Sequence, residues 1–172
     1  TEYVLIDLDF LGIHDLLLLR GDKAKHDSSF KPVANGYSHA TELQVQINRF
    51  NEGYFEDGTK MKEERLEKFS YGVAGYPEKH DESPNLESDI AYLKQKVEAG
   101  AEYVVTQMFF DSQIFFAPVY SCREEGINVP VIPGLKPITK MSQLNILPKV
   151  FHVDIPEAFA SELRKCKTDE EA

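Results

Sequence analysis

The chain has 172 residues, of which 42% are hydrophobic and 28% charged, enough apolar material for a sizeable core and too much for a disordered segment. A formal net charge of −10 argues against nucleic acid as the main partner, because phosphate binding needs clustered Lys and Arg. Two isolated cysteines, five ungrouped histidines and no apolar run near the ~20 residues of a bilayer span argue against a disulfide framework, a metal centre and a membrane helix. The opening Thr1-Glu2-Tyr3 has no basic leader segment, so a reducing, cytoplasmic setting is expected, with the native start upstream or removed.

In chain order, residues 2–11 place Val4, Leu5, Leu8 and Phe10 as a helix stopping at Gly12. Leu16 to Leu19 form a continuous apolar run, the pattern of a strand buried on both faces, and lead into the polar Arg20-Gly21-Asp22. A long polar loop over 23–37 precedes a helix over 38–50 carrying Leu43, Val45, Ile47 and Phe50. Residues 51–68 are charge-rich and weakly patterned, a surface excursion with a helical second half. Phe69 to Gly75 is a strand, followed by the loop Tyr76-Pro77-Glu78-Lys79-His80.

The next helix is the best punctuated. Ser83 is its expected N-cap with Pro84 at the first helical position, Leu86, Ile90, Leu93 and Val97 form one apolar stripe, and Gly100 ends it. Glu102–Phe110 reads as a strand, 111–125 as a helix, and Val129–Val131 as a further strand closed by Pro133-Gly134. Residues 140–165 are helical in two pieces, the second opened by Pro156, and Lys167–Ala172 form a polar, frayed end. Four strands separated by helices give an α/β fold with a parallel sheet and right-handed crossovers.

The polar residues fall in a telling place. Arg20-Gly21-Asp22, Tyr76–His80, Gln107 and Pro133-Gly134-Leu135-Lys136 each stand at or just past the C-terminal end of an expected strand. That is the edge at which parallel α/β proteins bind ligands.

The same segments resemble methylenetetrahydrofolate reductases. The likeness is carried by Leu19-Arg20-Gly21-Asp22, by Ala74-Gly75-Tyr76-Pro77 with His80, and by the helix Asp89–Gly100. It continues through Thr106-Gln107-Met108-Phe109-Phe110-Asp111 and Ile132-Pro133-Gly134-Leu135-Lys136-Pro137, in the family's order and spacing, over nearly the whole chain. The resemblance implies a (βα)8 TIM barrel of which residues 1–172 are a single domain supplying about strands four to seven. It also implies FAD as cofactor, NADH or NADPH as electron donor, and reduction of 5,10-methylenetetrahydrofolate to 5-methyltetrahydrofolate in one-carbon and methionine metabolism, by a homo-oligomer.

Carried over residue by residue, the resemblance assigns Arg20, Gly21, Asp22, Ala40, Tyr76, His80, Asp89 and Lys96 to FAD. Asp22, Gln107 and Gln143 would meet the folate, and Asp22, the catalytic candidate, would stabilise the cation formed when the methylene bridge opens. The family's acid Glu comes from its first strand and has no counterpart here. Tyr92 and Gln95 stand where some members use other polar or basic residues.

Taken without the resemblance, each residue also has a plainer reading: Arg20 and Asp22 as a solvated pair, Ala40 as an ordinary helix residue, Tyr76 and Gln107 as loop packing and contact. His80 would then be a surface histidine, and Asp89 and Lys96 exposed helix charges. At fold level the alternatives are a different barrel enzyme of the aldolase or phosphate-binding type, for which Lys136 is the one lysine at a strand end, or a non-catalytic barrel fragment.

Overall fold

The computed structural model describes residues 1–21, 23, 30–34, 36–62 and 67–166. Their elements run α1 (Glu2–Phe10), β1 (Asp15–Leu18), α2 (Ala40–Asn51), β2 (Ser70–Gly75), α3 (Leu86–Glu98), β3 (Tyr103–Met108), α4 (Ser112–Glu124), β4 (Val131–Gly134), α5 (Gln143–Phe151) and α6 (Glu157–Leu163). The strands form one parallel sheet in the order β1-β2-β3-β4, with Asp15 to Leu18 opposite Ser70 to Val73. The expected α/β alternation is therefore present. No described helix is long and apolar enough to cross a membrane.

The described residues group into two compact units, Thr1–Ala74 with Gln95–Val104, and Gly75–Lys94 with Val105–Ala172. In the first, the core is Leu5, Leu18, Ile47, Phe50, Phe69, Tyr71, Val73, Ala101 and Val104, each at most 4% exposed. Full burial of an apolar side chain of this size contributes about 1.5–3 kcal/mol.

Polar side chains then fix how α2 meets its neighbours. The Asn51 side chain both accepts from the Phe69 amide (2.8 Å) and donates to the Phe69 carbonyl (2.9 Å), tying the end of α2 to the entry of β2. Gln44 donates to the Lys96 carbonyl and Asn48 to the Ala99 carbonyl, each at 2.8 Å. The bond from Gln44 accounts for its burial in place of an apolar residue; Gln46, which donates to the Glu56 carboxylate at 3.3 Å, is buried too, whereas Val45 is 54% exposed.

One side chain crosses three strands. Tyr103, at the start of β3, lies over Gly72 of β2 and donates its hydroxyl proton to the Leu16 carbonyl of β1 at 2.7 Å. A Cβ on Gly72 would stand 2.1 Å from the Tyr103 ring, so only glycine leaves room for the crossing. Gly100, at φ +114°, likewise brings the backbone against the Tyr71 hydroxyl, which a Cβ would meet at 2.8 Å.

The second unit contains a core of Ile138, Leu147, Val153 and Leu163, against which Met108, Phe110, Met141, Leu144 and Ile155 pack. Gly134 of β4 lies against β3: its amide donates to Thr106 Oγ1 at 3.0 Å, and a Cβ there would meet the Thr106 carbonyl oxygen at 2.1 Å.

Several local expectations are corrected. Leu18 of β1 is buried, but Leu17 and Leu19 are 42% and 55% exposed, so the described residues cover one face of this strand rather than two. Residues 53–61 turn back on themselves through a Tyr54–Lys60 bridge and a Met61 amide bonded to the Gly53 carbonyl (2.8 Å), and the expected helical second half of 51–68 falls mostly on residues 63–66, outside the described residues. β4 runs through Pro133-Gly134 instead of ending before them. α3 begins at Leu86, because Asn85 and not Ser83 supplies the cap, its Oδ1 accepting from the Ser88 amide at 2.8 Å.

Gly72→Ala should lower unfolding free energy by about 1–3 kcal/mol through overpacking. Tyr103→Phe, which deletes only the hydroxyl, should cost about 1 kcal/mol. Urea denaturation checks both; an unchanged midpoint for Gly72→Ala would mean that the ring does not hold its place over β2.

Candidate functional site

The richest local constellation is the loop after β2, which lies within the second unit. Pro77 is buried and biases Tyr76 toward an extended backbone, so the chain leaves the strand in a defined direction. Lys79 then adopts φ 106°, a left-handed conformation that costs a non-glycine residue of order 1–3 kcal/mol unless its surroundings enforce it. Here they do. The Lys79 ammonium donates to the His80 and Ser83 carbonyls at 3.2 and 2.9 Å, closing the loop on itself.

The two sides of Lys79 are anchored in different places. Beyond it, Asp89 of α3 uses both carboxylate oxygens: Oδ2 accepts from the His80 amide (2.9 Å) and Oδ1 from the Ser83 hydroxyl (3.1 Å). Before it, Glu78 accepts the Asp154 amide proton on both oxygens, each at 2.9 Å. Asp154 follows the buried Val153 and the left-handed C-cap His152 of α5, so its N–H sits on a fixed turn. Asp81 adds a surface contact to His152 at 3.5 Å.

Within the loop, the Tyr76 and His80 rings meet edge to face, with centroids 4.6 Å apart at 89°. His80 Nδ1 accepts from the Glu82 amide at 3.1 Å, which leaves Nε2 as the protonated, donating nitrogen of the neutral ring. Burial pushes the Glu78 carboxyl above the ordinary carboxylate range; the Asp154 amide pulls it down and the Asp154 charge raises it again.

The other sequence-derived candidates have these positions. Asp22 lies outside the described residues. Arg20 follows β1 with its guanidinium 4.8 Å over the Phe30 ring, and the Gly21 backbone borders the same ring. Ala40 is the half-buried first residue of α2, whose start is capped by Glu42 reaching back to the Ser38 and His39 amides. Lys96 is half-buried on α3. Gln107 turns its Oε1 onto the Met108 amide (2.9 Å), so its NH2 is left to donate. Gln143 Oε1 accepts from the Thr139 and Lys140 amides (2.7 and 3.0 Å), bracing the turn before its own helix. The structure thus brings Tyr76, His80 and Asp89 together. Glu78 and Ser83 complete that group, and neither was assigned from sequence to the role it has; the periodicity of a loop carries no signal for which side chain reaches a partner 76 residues away.

The model of the methylenetetrahydrofolate reductase family matches residues 2–172. The chain belongs to the methylenetetrahydrofolate reductase family. Methylenetetrahydrofolate reductase 2 of Saccharomyces cerevisiae is 35% identical over 162 residues, covering 93% of this chain and 25% of that protein. Methylenetetrahydrofolate reductase (NADH) 1 of Arabidopsis thaliana is 34% identical over 170 residues, 94% of this chain and 26% of that protein. The 5,10-methylenetetrahydrofolate reductase of Buchnera aphidicola is 38% identical over 146 residues, 85% of this chain and 42% of that protein. The chain spans about a quarter of the first two relatives, so it corresponds to one portion of such reductases. The family's segments named above, from Arg20-Gly21-Asp22 to Gly134-Leu135-Lys136, all fall inside the matched span.

The raised Glu78 carboxyl has a consequence for stability. A folded-state value above the unfolded one means that the folded protein holds the proton longer, so stability falls as pH rises from about 4.3 through the raised value. Glu78→Gln should remove that descending component. Urea unfolding of both proteins from pH 4 to 7 tests it; parallel stability curves would show that Glu78 titrates normally.

Proposed function

We propose that this chain is the central portion of the catalytic barrel of a flavin-dependent methylenetetrahydrofolate reductase, with residues 1–172 forming part of a single (βα)8 domain. The observation that carries the reading is the anchored loop Tyr76–His80, set at the end of its strand in a chain of this family. Arg20 and Lys136 follow their own strands in the same way and Gln107 stands one residue from the end of β3, the end at which parallel α/β proteins bind ligands.

The donors present fit FAD. His80 Nε2–H and the half-buried Lys96 suit phosphate oxygens, and the Tyr76 ring offers a flat apolar surface. Asp89 spends two of its roughly four acceptor positions on the loop, leaving others for the hydroxyls of a ribityl or ribose group. Arg20, Gly21, Asp22 and Ala40 complete the proposed cofactor set. The chemistry that FAD supplies when bound is hydride transfer, from NADH or NADPH to the methylene group of 5,10-methylenetetrahydrofolate, giving 5-methyltetrahydrofolate. The donating amide of Gln107 would hold a carbonyl of the pterin or of the nicotinamide, with Gln143 a second contact to the folate. Asp22 would place its negative charge beside the cationic iminium of the opened methylene bridge. A cytoplasmic homo-oligomer in one-carbon and methionine metabolism belongs to the same proposal.

Two measurements test this reading. Incubation with FAD, gel filtration and a visible spectrum should show flavin travelling with the protein, and Lys96→Ala should lower the amount retained. A chain that retains no flavin, either alone or within its longer parent, would sink the proposal. In the full-length reductase, Asp22→Asn should slow folate reduction more than reduction of the flavin by the nicotinamide; equal slowing would remove the electrostatic role at the folate.

A further inference from the structure

Glu78 is not among the residues that the family resemblance assigns to cofactor or substrate, yet its placement is hard to explain by packing. Its carboxylate is half-buried, stands beside the Asp154 carboxylate, and the burial and the neighbouring charge both disfavour its ionised form. What it gains is a single main-chain partner 76 residues away, gripped by both oxygens at 2.9 Å. That partner is rigid, since Val153 beside it is 5% exposed in the core with Ile138, Leu147 and Leu163.

The geometry also explains why the loop needs this grip. Lys79 reverses the chain at φ 106°, so Glu78 on one side and the His80 amide on the other are presented to different anchors, Asp154 and Asp89. Asp89 by itself fixes only the far side, from His80 to Ser83. Tyr76 lies on the near side, two residues before Glu78, and its ring meets that of His80 edge to face across the turn.

We propose that Glu78 is a positioning residue for the proposed cofactor loop, holding Tyr76 against His80 by accepting the Asp154 N–H. The role rests on the proposed function, because it concerns the loop assigned there to FAD. A side chain at this position needs an acceptor oxygen at the end of a four-bond reach and has no need of a charge. Glutamine meets that requirement; alanine and methionine do not.

The test compares wild type with Glu78→Gln, Glu78→Ala and Glu78→Met, the last keeping the length of the side chain should the alanine variant fail to fold. Two readouts are taken: amide hydrogen exchange over residues 76–89 and at Asp154, and FAD affinity by quenching of flavin fluorescence. Glu78→Ala and Glu78→Met should exchange faster across the loop and bind FAD about tenfold more weakly, the upper end of what one neutral hydrogen bond contributes. Glu78→Gln should stay within about threefold of wild type in affinity, with wild-type exchange, since the amide oxygen accepts the same proton. Unchanged exchange in Glu78→Met overturns the inference whatever the flavin result. Equal loss of affinity in Glu78→Gln and Glu78→Met overturns it too, because that pattern belongs to a direct charge contact. If wild type binds FAD and Glu78→Met binds it equally well, the positioning role falls while the proposed function stands. If wild type fails to bind FAD even within the full-length reductase, the proposed function falls, and with it the role of Glu78 at a cofactor.

Discussion

The crossing of Tyr103 over Gly72 is the contact on which the first unit depends. β1 and β2 pair in parallel from Asp15–Ser70 to Leu18–Val73, and parallel pairs gain less per residue than antiparallel ones. A phenol spanning from β3 to the Leu16 carbonyl ties three strands through one side chain. The constraint runs both ways: the ring needs a residue without a Cβ beneath it, and that residue would be a weak link in a strand without the ring to cover it. Around this centre the Phe69 amide and carbonyl at the entry of β2 and the Lys96 and Ala99 carbonyls at the end of α3 are matched by Asn51, Gln44, Asn48 and Tyr71, so the α-on-β packing is specified by hydrogen bonds as well as by apolar contact.

The loop after β2 follows a different logic. Its conformation is unfavourable at Lys79, and three separate groups hold it there: the lysine's own ammonium, the Asp89 carboxylate and the Glu78 carboxylate. Such over-determination is what keeps a strained backbone from relaxing, and strained, well-supported loops are characteristic of places where a protein must present groups in one arrangement. The double use of Asp89 links this to the proposed chemistry, because the same carboxylate that fixes the loop retains lone pairs for a bound hydroxyl.

Much of the architecture was legible in the residues. Punctuation by Gly12, Gly100 and Pro156, the stripe Leu86/Ile90/Leu93/Val97 and the short apolar runs located the first three strands and the helices between them, with the fourth strand placed two residues early, and family membership was readable from the motifs at the strand ends. Local cues failed where two of them competed. Ser83-Pro84 imitates a helix start, but the serine hydroxyl is drawn to Asp89 and Asn85 caps instead. The apolar run of Leu16–Leu19 reads as covered on both faces, whereas covering depends on which other segments reach it, and Leu17 and Leu19 remain exposed. In α2 the buried face contains Gln44 and Gln46, which no hydrophobic period would select.

The sequence by itself determined the order and type of most elements, the α/β class and the family, because propensity, periodicity and motif spacing act over a few residues along the chain. Only the tertiary structure decided that Tyr103 lies on Gly72, that Asp89 spends its carboxylate on the His80 loop, and that Glu78 reaches Asp154. Each of those is a hydrogen bond or a steric exclusion whose partner or direction is set by how the chain folds rather than by its neighbours in sequence. A side chain's chemistry says what it can bond; which partner lies within 3 Å is a property of the assembled backbone.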